Sequence, residues 1–279
     1  MERSSSFPIV KKKVGNVSTR RIVVTSGKGG VGKTTTTANL GAALAMRGHR
    51  VVLVDADIGL RNLDLVLGLE KRIVFDIVEV AEGRCQLRQA LIKDKRFESL
   101  AILPAAQTRE KEALTAEQFA GVIAGLDEFA DFVLIDCPAG IETGFRNAVA
   151  GAKEALVVTT PEVSAIRDAD RVIGKLLEVP MPISLIVNRL RPEMVRSGDM
   201  LAVEDVCEVL NATLVGVVPD DEEIIDTTNR GEPIVLDESN RLRTIYEKIA
   251  RRLEGEDIPI TSFEKPTFFK RLIGAITTG

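Results

Sequence analysis

The stretch Arg21–Thr36, R-I-V-V-T-S-G-K-G-G-V-G-K-T-T-T, decides how this chain folds. The apolar, β-branched run Ile22–Thr25 predicts a buried strand, and the sequence after the glycines predicts a helix that starts at about Gly32–Lys33. Gly27, four residues, then Gly32, Lys33 and Thr34 match the Walker A pattern. A glycine-rich turn is the alternative, but the flanking strand and helix favour a phosphate-binding loop.

The loop has the chemistry of an ATP site. Glycines let backbone N–H groups close around phosphate oxygens, and the positive end of the helix dipole faces the same anion. Lys33 is expected to reach the β- and γ-phosphates and the Thr34 hydroxyl to ligate Mg²⁺. A second lysine, Lys28, adds a cation inside the loop, although a solvated lysine is the alternative. The residues predicted to hold the nucleotide here are Gly27, Lys28, Gly29, Gly30, Val31, Gly32, Lys33, Thr34 and Thr35.

Composition limits the possible functions. The chain has 279 residues, 45% of them hydrophobic, which is enough for one sizeable core. Its net charge of −4 argues against a protein that coats nucleic acid, so no specific nucleic acid is expected. The three cysteines form no CxxC pair, and a single histidine, His49, makes histidine-based catalysis a poor expectation. No apolar run is long enough to span a bilayer, and no secretory signal is expected.

Buried strands alternate with helices along the chain, which predicts an α/β fold: a doubly wound, mostly parallel sheet with helices on both faces. Predicted strands after the first are Val51–Val54, Leu100–Leu103, Phe132–Ile135, Ala155–Thr159, Ile183–Val187 and Leu214–Val218. Predicted helices after the first are Ile73–Glu82, Leu87–Ile92, Thr115–Leu126, Ser164–Glu178, Val203–Leu210 and Glu238–Leu253. The predicted division is a disordered basic leader over 1–20, one ATPase domain over 21–255, and a linker with an amphipathic helix over 256–279.

Polar residues fall at predicted strand ends, where ligands bind in such sheets. Asp136 has the form of a Walker B aspartate that holds Mg²⁺, and Asp57 is placed to orient water or hold a metal-bound water. Asp55 is a weaker candidate for these roles, and the alternative is that it only caps the turn. Gly140 is placed to sense the γ-phosphate through its N–H. Further candidates for nucleotide contact end later strands: Asn188, for which a turn residue is an equal alternative, with Arg189, Pro219 and Asp220.

The loop K-G-G-V-G-K-T-T resembles the deviant Walker A motif of the MinD/ParA family of P-loop ATPases. Three further stretches resemble the septum-site-determining MinD branch of that family in its cyanobacterial and plastid form: V-D-A-D-I-G-L-R-N-L-D, D-C-P-A-G-I-E-T-G and T-T-P-E-V-S-A-I-R-D-A-D-R. The similarity extends from about Arg21 to Leu253. It implies a membrane-associated ATPase that uses ATP and Mg²⁺ and positions the division site.

The resemblance also implies roles for individual residues. Lys28 would reach across an ATP-bound homodimer to the partner's nucleotide, with Lys33, Asp57 and Asp136 completing the catalytic set. Thr34, Asp57 and Asp136 would serve Mg²⁺. Asp168 and Asp170 would bind MinC- and MinE-like proteins, although a solvated helix face is the simpler interpretation of the sequence. The implied location is cytoplasmic and peripheral on the inner face of the cell membrane, with the plastid stroma and inner envelope as the alternative.

The last residues, 263–279, have the pattern of a basic interfacial helix. One apolar stripe at helical spacing comprises Phe268, Phe269, Leu272, Ile273 and Ile276, and Lys265, Lys270 and Arg271 lie around it. We therefore expect an anionic membrane surface as a partner. A helix docked on the core is an equal alternative on the pattern alone.

Three other functions compete with this interpretation. A ParA-type DNA-partitioning ATPase would need a basic surface for DNA, which an acidic chain disfavours. An iron–sulfur carrier on the same fold would need converging cysteines, and none is well placed. A small-molecule kinase would need an acceptor-binding insertion, and none is evident.

Overall fold

The computed structural model describes residues 18–260, and the side chain of Lys111 is left out of that description. The tail stripe and residues 1–17 of the predicted leader lie outside the described residues. Eight strands form one sheet in the order β3-β4-β2-β5-β1-β6-β7-β8, and every neighbouring pair is parallel except β3 with β4. The strands are β1 Arg20–Thr25, β2 Val51–Asp55, β3 Ile92–Lys93, β4 Leu100–Leu103, β5 Phe132–Asp136, β6 Glu154–Thr159, β7 Ile183–Leu190 and β8 Thr213–Pro219.

Eleven α-helices connect the strands within this part of the chain. They are α1 Lys33–Met46, α2 Leu63–Val66, α3 Ile77–Ala81, α4 Leu87–Ala90, α5 Ala116–Gly125, α6 Thr143–Gly151, α7 Val163–Leu176, α8 Pro192–Ser197, α9 Val203–Leu210, α10 Glu223–Asn229 and α11 Arg241–Leu253. Short 3₁₀ turns occupy Glu70–Arg72, Lys111–Ala113, Leu126–Glu128 and Ile234–Leu236.

Two hydrophobic layers cover the two faces of the sheet. Successive strand side chains point to opposite faces, so Val23 joins one layer while its neighbours Ile22 and Val24 join the other. The first layer receives α3, α5, α6, α7 and α9, and the second receives α1, α2 and α11. The predicted doubly wound sheet with helices on both faces is confirmed.

Strand β1 lies at the centre of the sheet, between β5 and β6. The chain therefore crosses to one side to form β2 and later to the other side to form β6. Crevices for ligands open where the strand order reverses in this way, outside the carboxyl ends of the strands. The glycine-rich loop after β1 lies at this point.

Some predicted boundaries were wrong. The predicted helix Ile73–Glu82 is helical only over Ile77–Ala81, because Asp76 accepts the N–H groups of Val78 and Glu79 and caps the helix there. The predicted helix Leu87–Ile92 ends at Ala90, and Ile92 pairs antiparallel with Ile102.

The predicted leader was also too long. Arg20 belongs to β1, and the Thr19 hydroxyl donates to the backbone oxygens of Asp127 and Ala130. The core therefore begins before Arg21. Helices α6, α8 and α10 were not predicted.

Between residues 18 and 260, no helix combines the length and the apolar character that crossing a bilayer requires.

Candidate functional site

A cavity of about 470 Å³ opens at the glycine-rich loop. That volume falls in the range of sites for small organic ligands, roughly 300–1,000 Å³. Its lining combines residues that follow β1, β2 and β5 with one residue inside β7: Ser26, Gly29, Gly30, Gly32, Lys33, Thr34, Thr35, Asp57, Leu60, Asn62, Pro138, Ala139 and, from β7, Arg189. The parallel sheet thus brings four separate stretches of sequence to one cavity.

The loop takes its shape from close contacts that only glycine allows. Gly32, which caps α1, has φ 88°, and a Cβ there would lie 2.3 Å from the Asn188 amide nitrogen. A Cβ on Gly27 would lie 2.2 Å from the backbone carbonyl carbon of Asp168 in α7. At Gly29 and Gly30 a Cβ would meet nothing within 4 Å, so the loop faces open space there. The backbone can therefore approach a phosphate, and the loop fits the ATP predicted from its sequence.

Lys33 and Asp136 form a buried ion pair at the base of the cavity. Lys33 Nζ lies 2.8 Å from Asp136 Oδ1, and the two side chains are 10% and 2% exposed. Burial alone would lower the pKa of Lys33, but the charge and hydrogen bond of Asp136 outweigh burial and raise that pKa above its ordinary value. Lys33 therefore stays charged and is available to pair with a phosphate.

Two threonines complete the surroundings of Asp136. The Thr34 hydroxyl donates to Asp136 Oδ2 at 2.7 Å, and the Thr37 hydroxyl contacts Asp136 Oδ1 at 3.2 Å. Mg²⁺ binds oxygen ligands and uses one or two carboxylates beside substrate phosphates. The adjacent hydroxyl and carboxylate oxygens of Thr34 and Asp136 fit that donor set. Thr37 was missed, although its spacing of three from Thr34 puts both hydroxyls on one helix face.

Asp55 is the last residue of β2, and Asp57 follows it two residues later. Asp57 lines the cavity, as its predicted role requires, and its N–H donates to Asp55 Oδ1 at 2.9 Å. Asp55 is fully buried, and its other oxygen accepts the N–H groups of Asn62 and Leu63. Burial and the nearby charge of Asp136 raise the pKa of Asp55 to about 7, against the lowering effect of its three N–H donors.

The end of β7 is irregular, which the sequence did not predict. Asn188 and Arg189 lie inside β7, not after it, and the pairing with β8 shifts register between Val187 and Leu190. Arg189 has φ 56°, which is uncommon for a side chain of its size. The irregularity leaves Arg189 lining the cavity while Asn188 is buried and donates to the Val31 carbonyl oxygen.

Several residues predicted to contact the nucleotide do not line the cavity. The Gly140 N–H donates to the Ser26 carbonyl oxygen at 3.1 Å. Pro219 and Asp220 line a neighbouring cavity of about 510 Å³, where Asp220 forms an ion pair with Arg191. Their contact with the nucleotide, like that of Asn188, stays a prediction.

Lys28 is exposed, and its Nζ lies 3.3 Å from the hydroxyl of Ser164, on α7 of the same chain. To reach a partner's nucleotide as predicted, Lys28 would therefore have to leave this contact with α7. On that helix Asp170 is exposed, whereas Asp168 is half-buried and forms a pair with Arg171 at 3.8 Å. The backbone of Asp168 packs on Gly27, so the predicted partner helix is in direct contact with the phosphate loop.

Comparison with known proteins assigns the family. Residues 22–234 match the model of the CobQ/CobB/MinD/ParA nucleotide binding domain. The chain is 59% identical over 246 residues to the septum site-determining protein MinD of Synechocystis sp., covering 88% of this chain and 92% of the relative.

Two solved structures are similar along most of their length. MinD in the MinC:MinD cell division protein complex of Aquifex aeolicus is 50% identical, with a TM-score of 0.81, 87% of this chain covered and 99% of that chain. MinD of Pyrococcus horikoshii, complexed with Mg-ADP, is 34% identical, with a TM-score of 0.77, 85% of this chain covered and 96% of that chain. With the loop, Lys33, Thr34 and Asp136 assembled as described, the chain belongs to the MinD/ParA family of P-loop nucleotide-binding proteins and, within it, to the septum site-determining MinD branch.

Proposed function

We propose that this protein is an ATP-dependent switch that positions the division site. It dimerises when ATP is bound, binds the inner face of the cell membrane from the cytoplasm, recruits a division inhibitor and leaves the membrane after hydrolysis. The observation that carries the nucleotide part is the convergence of Lys33, Thr34 and Asp136 at the base of the loop cavity. The names of its relatives, septum site-determining proteins and a MinC:MinD complex, support the division role.

Hydrolysis in this site needs positioning and electrostatics and no covalent nucleophile. Lys33, which pairs with Asp136 at 2.8 Å, would form ion pairs with the phosphates of ATP when ATP binds. Thr34 and Asp136 would supply oxygen ligands for Mg²⁺, and the bound ion would neutralise charge on the phosphates. Asp57 orients the attacking water, and Lys28 leaves Ser164 to reach the nucleotide of the partner subunit.

Membrane binding is assigned to residues 263–279 from their sequence pattern. Each large apolar side chain contributes ~1.5–3 kcal/mol on full burial, and burial at an interface is partial. Each basic residue adds about 1 kcal/mol near anionic lipid. Ordering a short helix offsets much of this gain, so one copy binds weakly. A dimer presents two copies, which raises avidity by ~10²–10⁴ and makes membrane residence depend on ATP.

The test is sedimentation with vesicles of phosphatidylglycerol and phosphatidylcholine in ATP or ADP. The full chain is expected to sediment in ATP, less so at high salt or with phosphatidylcholine alone. Deleting residues 263–279 should remove sedimentation and preserve ATP-dependent dimerisation in light scattering. Ile273→Glu should do the same. Thr278→Glu adds the same charge on the opposite face of the predicted helix and should leave binding nearly intact.

Two outcomes would contradict the proposal. If the truncated chain still sediments with anionic vesicles in ATP, residues 263–279 are not the anchor. If the full chain does not bind vesicles but binds duplex DNA in ATP, DNA partitioning is the better assignment and the division-site proposal fails.

A further inference from the structure

The Asp55 carboxylate ties together both ends of the loop that carries Asp57. Its Oδ1 accepts the Asp57 N–H at 2.9 Å, at the start of the loop. Its Oδ2 accepts the N–H groups of Asn62 and Leu63, each at 3.0 Å, where the loop enters α2. Asp55 itself is fully buried at the end of β2, paired in register with Asp136 on β5. The residue that closes the loop is thus held rigidly by the central sheet.

Part of this loop faces the nucleotide cavity. Asp57, Leu60 and Asn62 line it, and Leu60 is 61% exposed. Inside the loop, the N–H groups of Leu60 and Arg61 return to the Asp57 carbonyl oxygen, and the Gly59 N–H donates to Ala106. Asp55 joins the two ends of the loop directly through its three hydrogen bonds to backbone N–H groups.

A carboxylate is a costly way to make a turn. Asp55 is fully buried, and taking a carboxylate out of water carries a desolvation cost that its hydrogen bonds must offset. An asparagine would cap one side of the turn at a lower desolvation cost, but it has only one acceptor oxygen. Only a carboxylate accepts hydrogen bonds on both oxygens, and both ends of the loop need an acceptor. The choice of residue therefore follows the need to hold two segments in one geometry.

We propose that Asp55 is a positioning residue for hydrolysis, which holds Asp57 and the loop up to Leu63 in the geometry that orients water. This inference rests on the proposed function of Asp57. It separates the two aspartates of V-D-A-D: Asp57 acts at the cavity, and Asp55 acts through Asp57.

The first test is Asp55→Asn, measured as single-turnover hydrolysis beside nucleotide titration. The amide can accept from Asp57 or from the Asn62 and Leu63 pair but would turn its NH₂ group toward the other, so one end of the loop is released. A misplacement of about 1 Å costs about 10²-fold in rate, so turnover should fall by that order while ATP affinity changes by less than about threefold. Asp94→Asn is the control, because Asp94 is also buried and accepts a backbone N–H, that of Arg96, but lies after the edge strand β3 and does not line the cavity. This variant also neutralises the ion pair of Asp94 with Arg96 at 2.6 Å, so it tests whether loss of a buried carboxylate elsewhere slows turnover. It should leave turnover unchanged.

A double-mutant cycle separates positioning from general damage. If Asp55 acts only through Asp57, adding Asp55→Asn to Asp57→Ala should slow turnover no further. A further loss as large as in the wild-type background would overturn the proposal. If Asp57→Ala alone leaves turnover unchanged, the proposed role of Asp57 fails first, and that outcome is distinct.

Amide hydrogen exchange gives a readout that needs no hydrolysis. In the wild-type chain the amides of Asn62 and Leu63 should be protected, and Asp55→Asn should speed exchange of at least one end of the loop by about tenfold or more. If the variant does not fold, the wild-type measurement still decides, since unprotected Asn62 and Leu63 amides would overturn the proposal. Loss of ATP affinity in parallel with turnover would likewise reduce Asp55 to a structural residue.

Discussion

The ion pair between Lys33 and Asp136 gives a stability prediction that requires no nucleotide. The pair is 2.8 Å long, and its side chains are 10% and 2% exposed. Removing one partner of a buried pair costs ~3–5 kcal/mol, because the other charge is left without its partner. The hydroxyls of Thr34 and Thr37 still contact Asp136 in Lys33→Ala, and hydrogen bonds to charged groups are worth ~1.5–3 kcal/mol. We therefore expect a loss near the lower limit, about 3 kcal/mol.

Calorimetry or urea unfolding of the nucleotide-free protein in EDTA measures this loss. For a domain of this size, about 3 kcal/mol lowers Tm by about 6–12 °C. Lys28→Ala is the matched control: it removes an exposed lysine of the same loop and should change stability by less than about 0.5 kcal/mol.

The decisive variant adds Asp136→Asn to Lys33→Ala. Because the carboxylate that lost its partner is then neutral, most of the lost stability should return. Two results would contradict this reasoning: a further loss of stability on the second change, or a cost of less than about 1 kcal/mol for Lys33→Ala. Either would mean that Asp136 is not destabilised by the loss of Lys33.

Three further predictions concern nucleotide and partners. Lys33→Ala should abolish tight ATP binding, whereas Lys28→Ala should bind nucleotide but fail to dimerise in ATP. Nucleotide titration and light scattering check both variants, and a dimer of Lys28→Ala in ATP would refute the cross-dimer role of Lys28. Asp57→Ala should slow single-turnover hydrolysis by ~10²-fold or more with little change in ATP affinity, and an equal loss of affinity would contradict the assignment. Reversing the charges of Asp168 and Asp170 together should abolish co-sedimentation with MinC- or MinE-like proteins while basal ATPase survives. Undiminished co-sedimentation would show that the two aspartates only form a solvated helix face.

The phosphate loop could be read directly from the sequence because its determinants are local. Strand β1 contains the short apolar, β-branched run Ile22–Thr25, and Gly32 and Lys33 mark the turn into α1. Sterics and hydrogen bonding between neighbouring residues favour these conformations, so the local pattern is enough to predict them. The packing of Gly27 on Asp168 and of Gly32 on Asn188, by contrast, depends on distant residues. The alternation of such strands with helices then restricts the sheet to a doubly wound form.

Tertiary structure decided which distant residues meet. Thr37 reaches Asp136 across 99 positions of sequence, and Lys28 reaches Ser164 across 136. The local sequence around Asp55 did not reveal that its carboxylate binds both ends of one loop. The irregular end of β7, which contains Asn188 and Arg189, depends on pairing with β8. The short strand Ile92–Lys93 likewise forms only because β4 offers an open edge. In each case the conformation depends on a partner brought close by packing of the whole sheet, and the free energy of that packing is not encoded in any short stretch of the chain.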